Sequence, residues 1–289
     1  MRTLPLFAII ALTGCKTVTL TEQQFFDPRP ARLADSVRAA GHWPSPYTFS
    51  QGFLQSSDGA RLFRVTLTRP SSDVAILYFG GSNFQIGQDY KRFTPLLETG
   101  ATVFVADYPG YGESDGKPSL DSFEKAALAA YDETLRVTGV RPRRLIVHGH
   151  SLGTMLAMYV AEQRPVGGVV LEGPPTNARE WARSFTPWFA KPFVRFKIPE
   201  SLYEHDNLAR IRKYQGPLLL LAGETDRETK PAMARRLYSA SGTQSGLKNL
   251  VVFPGTGHMI LLRDKRATEP YRKLVDLVRG VGVTTVQPR

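Results

Sequence analysis

One serine constrains this chain more than any other feature: it lies between two glycines where an apolar, strand-like pattern gives way to a helical one. The run Leu145-Ile146-Val147-His148-Gly149-His150 enters Ser151, and Leu152-Gly153-Thr154-Met155-Leu156-Ala157-Met158-Tyr159-Val160 leaves it. The pattern reads as strand, tight turn, helix. A serine in so cramped a turn can point its hydroxyl outward only if the neighbouring backbones have room. Gly149 and Gly153, which lack Cβ atoms, provide that room. The helix start adds unpaired N–H groups and a positive dipole end, which stabilise negative charge forming beside Ser151. The five-residue pattern is weak by itself; its placement and its downstream partners give it weight.

The 289 residues are 42% hydrophobic and 22% charged, enough for one sizeable core, so a single α/β domain is expected. Prolines and glycines are scattered, and no internal repeat is visible. A formal charge of +11 invites a nucleic-acid or anionic-membrane reading. The basic residues are dispersed, however, with only short pairs such as Arg143-Arg144 and Arg235-Arg236. No nucleic-acid-binding motif accompanies them, so nucleic acid is not an expected partner. The five histidines are also dispersed, without a His-x-x-x-His pair, and there is no phosphate-cradling glycine loop. Neither a metal nor a cofactor is expected.

Met1-Arg2-Thr3 is a short positive start, followed by an apolar run from Leu4 to Leu12 that is too short to span a bilayer but suits a signal-peptide core. It ends in Leu12-Thr13-Gly14-Cys15, which resembles the bacterial lipobox. Residues 1–14 are thus expected to be a lipoprotein signal, with Cys15, the chain's single cysteine, as the lipidated, palmitate-type anchor. More than one acyl chain is what stable anchoring requires. Lys16 is not the aspartate associated with inner-membrane retention, which favours the outer membrane, facing the periplasm. Residues 15–46 read as a tether or loosely packed arm.

Tyr47 to Pro70 alternates around Ser57-Asp58-Gly59 and reads as an antiparallel hairpin. Val74 to Phe79, Ala101 to Ala106, Val166 to Leu171, Pro217 to Ala222 and Leu250 to Phe253 read as further strands. Between them, Ser119 caps a helix with Phe123, Ala127, Tyr131 and Leu135 on one face and Gly139 at its end. Helical stretches follow at Pro231 to Ser239 and Glu269 to Gly280. Such alternation calls for a mostly parallel sheet with helices on both faces and reacting groups at the strands' carboxyl ends.

Three candidates stand at those ends: Ser151, Asp226 after Leu221-Ala222-Gly223, and His258 after Pro254-Gly255-Thr256-Gly257. A serine hydroxyl needs a base to take its proton, and the imidazolium so formed needs a carboxylate to hold its tautomer and balance its charge. Glu172, which also follows a strand, is a rival for that carboxylate.

The order Ser, Asp, His is that of the α/β-hydrolases. From about Tyr47 to Gly280 the chain resembles that superfamily, within it the branch with monoacylglycerol-lipase-like and acyl-thioesterase-like members. Asp107-Tyr108-Pro109-Gly110-Tyr111-Gly112-Glu113-Ser114, Gly149-His150-Ser151-Leu152-Gly153, Gly223-Glu224-Thr225-Asp226 and Gly257-His258 carry the likeness. The resemblance implies an α/β-hydrolase domain over residues 47–283, with Ser151 as nucleophile, His258 as general base then acid, and Asp226 as orienting carboxylate. The chain departs from the family at the oxyanion loop, where Gly80-Gly81 replaces His-Gly before Ser82. Backbone N–H groups donate there, so the role passes to Ser82 and Leu152, with Asn83 the alternative to Ser82.

His148 and His150 read as packed neighbours of the elbow, and His42 and His205 as surface or lid residues. Residues 174–214 are longer than a simple crossover and rich in aromatics: Trp181, Phe185, Trp188, Phe189, Phe193 and Phe196. They either pack on the core or form a lid lining an apolar acyl pocket. The expected function is hydrolysis of carboxylic ester or thioester bonds in a small or lipid-like acyl substrate. Acyl transfer, peptide cleavage and a non-catalytic envelope binding role are the alternatives.

Overall fold

Strict alternation along the strands divides this protein into two cores. The computed structural model describes residues 16–38, 42–187 and 189–280, so Cys15, the leader before it, Trp188 and residues 281–283 lie outside the described residues. The strands are β1 (Lys16–Thr19), β2 (Thr48–Gln55), β3 (Arg61–Thr68), β4 (Ala75–Phe79), β5 (Thr102–Ala106), β6 (Leu145–His150), β7 (Gly168–Glu172), β8 (Val194–Lys197), β9 (Leu218–Gly223) and β10 (Lys248–Phe253). The helices are α1 (Asp35–Arg38), α2 (Ile86–Asp89), α3 (Leu120–Thr138), α4 (Gly153–Gln163), α5 (Ala178–Ser184), α6 (Glu200–Glu204), α7 (Asn207–Lys213), α8 (Pro231–Ala240), α9 (Ile260–Arg263) and α10 (Thr268–Arg279).

Eight strands form one sheet in the order β10-β9-β7-β6-β4-β5-β3-β2. The β2–β3 hairpin and the β3–β5 pair are antiparallel; all other pairs in this sheet are parallel. Every residue of β4, β6, β7 and β9 is buried, as expected of strands covered on both faces. Ala75, Leu77, Leu145, Val147, Leu218 and Leu220 point to one face, where α3, α4, α7 and α8 pack. Ile76, Tyr78, Ile146, Leu219 and Leu221 point to the other, under α9 and α10. Each fully buried Leu or Ile contributes about 1.5–3 kcal/mol. Slipping one strand by a residue would exchange its two faces.

Ser119 does cap α3, its side chain accepting from Ser122 N–H at 3.0 Å, and Gly139 ends the helix at φ 67°. The arm departs from expectation. Of residues 15–46, read above as tether or loose arm, the described residues 16–38 and 42–46 are packed against the domain at several points. β1 pairs in parallel with β8 inside the 174–214 segment. Phe25 lies 5.1 Å from Trp181 and Phe26 4.8 Å from Phe123, ring centre to ring centre, while Leu33, Val37 and Trp43 are buried in the second core. The physical reason is apolar burial without periodicity: irregularly spaced side chains fill gaps on the domain surface and form no long element of their own.

Candidate active site

β6 delivers Ser151 to the carboxyl edge of the sheet in a conformation few non-glycine residues adopt. Its φ is +53°, in the left-handed region, which costs about 1–3 kcal/mol and persists only where the surroundings enforce it. They do so here by close packing: a Cβ on Gly149 would collide with the Gly153 carbonyl, and one on Gly153 with the Phe79 and Gly80 carbonyls. Ser151 N–H donates to Glu172 O at 2.9 Å. Its own carbonyl accepts from Thr154 N–H at 3.0 Å and Thr154 Oγ1 at 2.6 Å. Buried Asn207, at the start of α7, in turn donates to Thr154 Oγ1 at 3.0 Å and Pro175 O at 2.9 Å. The elbow is therefore tied to the 174–214 segment.

The Gly80–Asn83 loop approaches the serine closely: a Cβ on Gly81 would stand 3.4 Å from Ser151 Cβ. Three of its carbonyls are engaged. Gly80 O accepts from Tyr108 Oη at 2.7 Å, Gly81 O from Phe84 N–H at 3.0 Å, and Ser82 O from Tyr111 Oη at 2.8 Å and Asp27 N–H at 3.2 Å. In a trans peptide the N–H points opposite the carbonyl, so these bonds fix the N–H directions of Ser82 and Asn83 alike. Among the described residues, neither of those N–H groups nor that of Leu152 donates to a backbone carbonyl.

His258 Nδ1 meets Asp226 Oδ2 at 2.8 Å. Asp226 is cradled: Oδ1 accepts from Glu228 N–H at 2.8 Å and Thr229 N–H at 2.9 Å, and Oδ2 lies 2.9 Å from Thr229 Oγ1. Burial disfavours charge on both partners, yet their mutual hydrogen bond and attraction prevail, holding Asp226 below and His258 above their ordinary ranges. His258 Nε2 makes no hydrogen bond among the described residues; Glu228 Oε2 stands 3.8 Å from it. Ser151 and His258 flank the same stretch of chain, since Glu172 O holds the serine and a Cβ on Gly173 (φ +55°) would come within 3.0 Å of the imidazole.

A family model for the alpha/beta hydrolase fold matches residues 78–197. The chain has the α/β-hydrolase fold. An uncharacterized protein of Mycobacterium tuberculosis is 29% identical over 265 residues, 89% of this chain and 88% of that one. A lysophosphatidylserine lipase of Macaca fascicularis is 29% identical over 63% of this chain and 49% of its own length. The esterase of Pyrococcus furiosus superposes with a TM-score of 0.67 at 18% identity, covering 88% of this chain and 98% of its own, and so shares the fold.

Within this fold Glu172 serves elsewhere. Its Oε2 lies 3.2 Å from His148 Nε2, its Oε1 accepts from Leu261 N–H at 2.9 Å, and His148 Nδ1 is 3.3 Å from Tyr271 Oη. Glu172 thus fastens the chain just beyond His258. His150 packs at 4.8 Å over the His258 ring, its Nε2 3.0 Å from the His258 carbonyl; burial pushes its pKa down to about 4, so it is neutral at pH 7. His205, expected at the surface or in a lid, is instead buried, with Nε2 3.1 Å from Glu124 Oε1 on α3 and Nδ1 2.8 Å from Ser201 O. His42 is exposed, edge-on to Trp43 and Tyr90.

The aromatics of residues 174–214 divide: Trp181 and Phe196 pack against the first core, while Phe185, Phe189 and Phe193 are exposed. The groove between α5 and α8 is lined mainly by charged side chains. Thr229 was missed from sequence, although a hydroxyl three residues beyond the candidate acid was a signal that could have been tested. Among the described residues no cluster of three or more His, Cys, Asp or Glu could hold a metal ion.

Proposed function

We propose that this chain is a serine hydrolase that cleaves carboxylic ester or thioester bonds through an acyl-enzyme. The observation that carries the reading is Ser151 at φ +53° on the sheet edge it shares with the His258–Asp226 pair. His258 Nε2 takes the Ser151 proton as Oγ bonds to the acyl carbon, and Asp226 balances the imidazolium. The carbonyl oxygen, now negative, accepts from the N–H of Leu152, at the start of α4, and from that of Ser82, in the loop after β4. Collapse of this intermediate expels the alkoxide or thiolate, which takes the proton back from His258. Water, deprotonated by the same nitrogen, then attacks the acyl-serine, releasing the acid and restoring Ser151. Nucleophile–base bonds of this kind are often long in the free enzyme and tighten with substrate. Likeness to a lysophosphatidylserine lipase supports a lipid-like acyl ester within this class.

A series of p-nitrophenyl esters of rising chain length, with an aminopeptidase substrate beside it, tests the reading. Ester turnover that falls by 10³ or more in Ser151→Ala is expected, following the roughly 10³–10⁶-fold losses seen on removing such groups. Amide turnover without ester turnover would contradict it. We further propose that Cys15 bears a diacylglyceryl anchor in the outer membrane, on the strength of Leu12-Thr13-Gly14-Cys15. A native Cys15 peptide of unmodified mass would refute the anchor.

A further inference from the structure

The 174–214 segment has two unlike faces. Inward, Trp181 and Phe196 join the first core. Outward, Phe185, Phe189 and Phe193 are 42%, 61% and 45% exposed. Along β8 the alternation leaves Arg195 and Lys197 exposed while Val194 and Phe196 turn in. From Ala178 to Ile198 the chain carries five cations, Arg179, Arg183, Lys191, Arg195 and Lys197, against one carboxylate, Glu180. That carboxylate is already paired with Arg236. Arg183, Lys191 and Lys230 also line the groove of about 590 Å³ between this segment and the start of α8. A scattered exposed phenylalanine means little, but aromatics interleaved with unbalanced cations are what a lipid headgroup boundary accepts.

The position of β1 points the same way. Lys16 pairs with Val194, so Cys15 is one peptide bond from a residue held beside β8, and Phe193 is one peptide bond from that residue's partner. A chain attached to a membrane at Cys15 would present this face first, with no tether between. We propose that the outer face of residues 178–198 docks on an anionic phospholipid bilayer, its cations on the headgroup phosphates and its exposed phenylalanines at the acyl boundary. A second copy of the same face is disfavoured, because five cations would meet five. The inference needs neither turnover nor lipidation.

The test uses the full chain with Cys15→Ser, which removes the single native thiol and leaves a clean background for one introduced cysteine. Phe193→Cys reports the proposed face. Arg143→Cys, exposed in the turn before β6 at the opposite edge of the sheet, is the control. Each is labelled with the fluorophore NBD and mixed with vesicles of phosphatidylglycerol and phosphatidylcholine, or of phosphatidylcholine alone. The expected result is a several-fold brightening and blue shift at position 193 with anionic vesicles only. It should weaken with salt and be lost when Arg183→Glu and Lys191→Glu are added to a variant that keeps its circular dichroism and melting temperature. No change at 193, an equal change at 143, or an equal response to neutral vesicles would overturn the proposal. So would brightening without vesicles that grows with protein concentration, which would mark a second copy.

Discussion

Asp226 Oδ2 lies 2.8 Å from His258 Nδ1, while Glu172, at the end of the neighbouring strand, is directed to His148 at 3.2 Å. Two carboxylates at one sheet edge thus have separate duties, one holding the imidazole and the other fastening the chain beyond it at Leu261.

This division has a pH signature. Asp226 raises the His258 pKa above its ordinary value, against the opposing effect of burial. The base must be neutral to act, so kcat/KM should fall as pH drops through that raised value. Asp226→Asn removes the stabilising charge, so the acid limb should move to lower pH while the plateau falls by roughly 10⁴. Glu172→Gln removes a weaker, more distant charge that also raises His258, so the limb should move down less than in Asp226→Asn, with turnover orders of magnitude higher and about 1–3 kcal/mol of stability lost from its buried bonds. Parallel pH–rate profiles decide between the two; a crippled Glu172→Gln beside an active Asp226→Asn would reverse the assignment.

Thr229 is a positioning residue. Its hydroxyl reaches Asp226 Oδ2 and Gly173 O, both at 2.9 Å, and stands 3.2 Å from His258 Nδ1. Thr229→Val keeps the shape and removes the hydroxyl, so kcat should drop about tenfold, the worth of one hydrogen bond of roughly 1.4 kcal/mol, with KM little changed. Thr229→Ser should restore it. A steady-state split of kcat against KM for the two variants is the check.

The arm's packing is a claim about stability. Phe26 is buried against Phe123. Phe26→Ala should cost about 2 kcal/mol or more and lower the melting temperature by several degrees. A tether would tolerate the change, so an unaltered melting curve would contradict the packed arm.

How much of this was legible beforehand depended on periodicity. The elbow follows the apolar run Leu145–Val147 of β6, Asp226 follows Leu218–Ala222 of β9 and His258 follows Leu250–Phe253 of β10, so chain order alone placed them on one edge. Thr229 left only its spacing from Asp226 as a signal, because its reach comes from the turn that Asp226 Oδ1 makes with two backbone N–H groups. Nor was the arm, whose buried Leu20, Phe25, Phe26 and Leu33 follow neither a two-residue nor a 3.6-residue period. β8 was hidden because four residues are too few to establish an alternating pattern, and its partner β1 lies far away in sequence. His205 was misplaced because its partner, Glu124, sits on a distant helix.

The central claim is that Ser151 is a nucleophile activated by His258. Labelling the folded protein with a fluorophosphonate and mapping the adduct by peptide mass spectrometry tests it most directly. The account predicts one adduct, on the peptide containing Ser151, absent in Ser151→Ala and forming more slowly as pH falls below the raised His258 pKa. An adduct on another residue, or no adduct on protein shown to be folded, would contradict it.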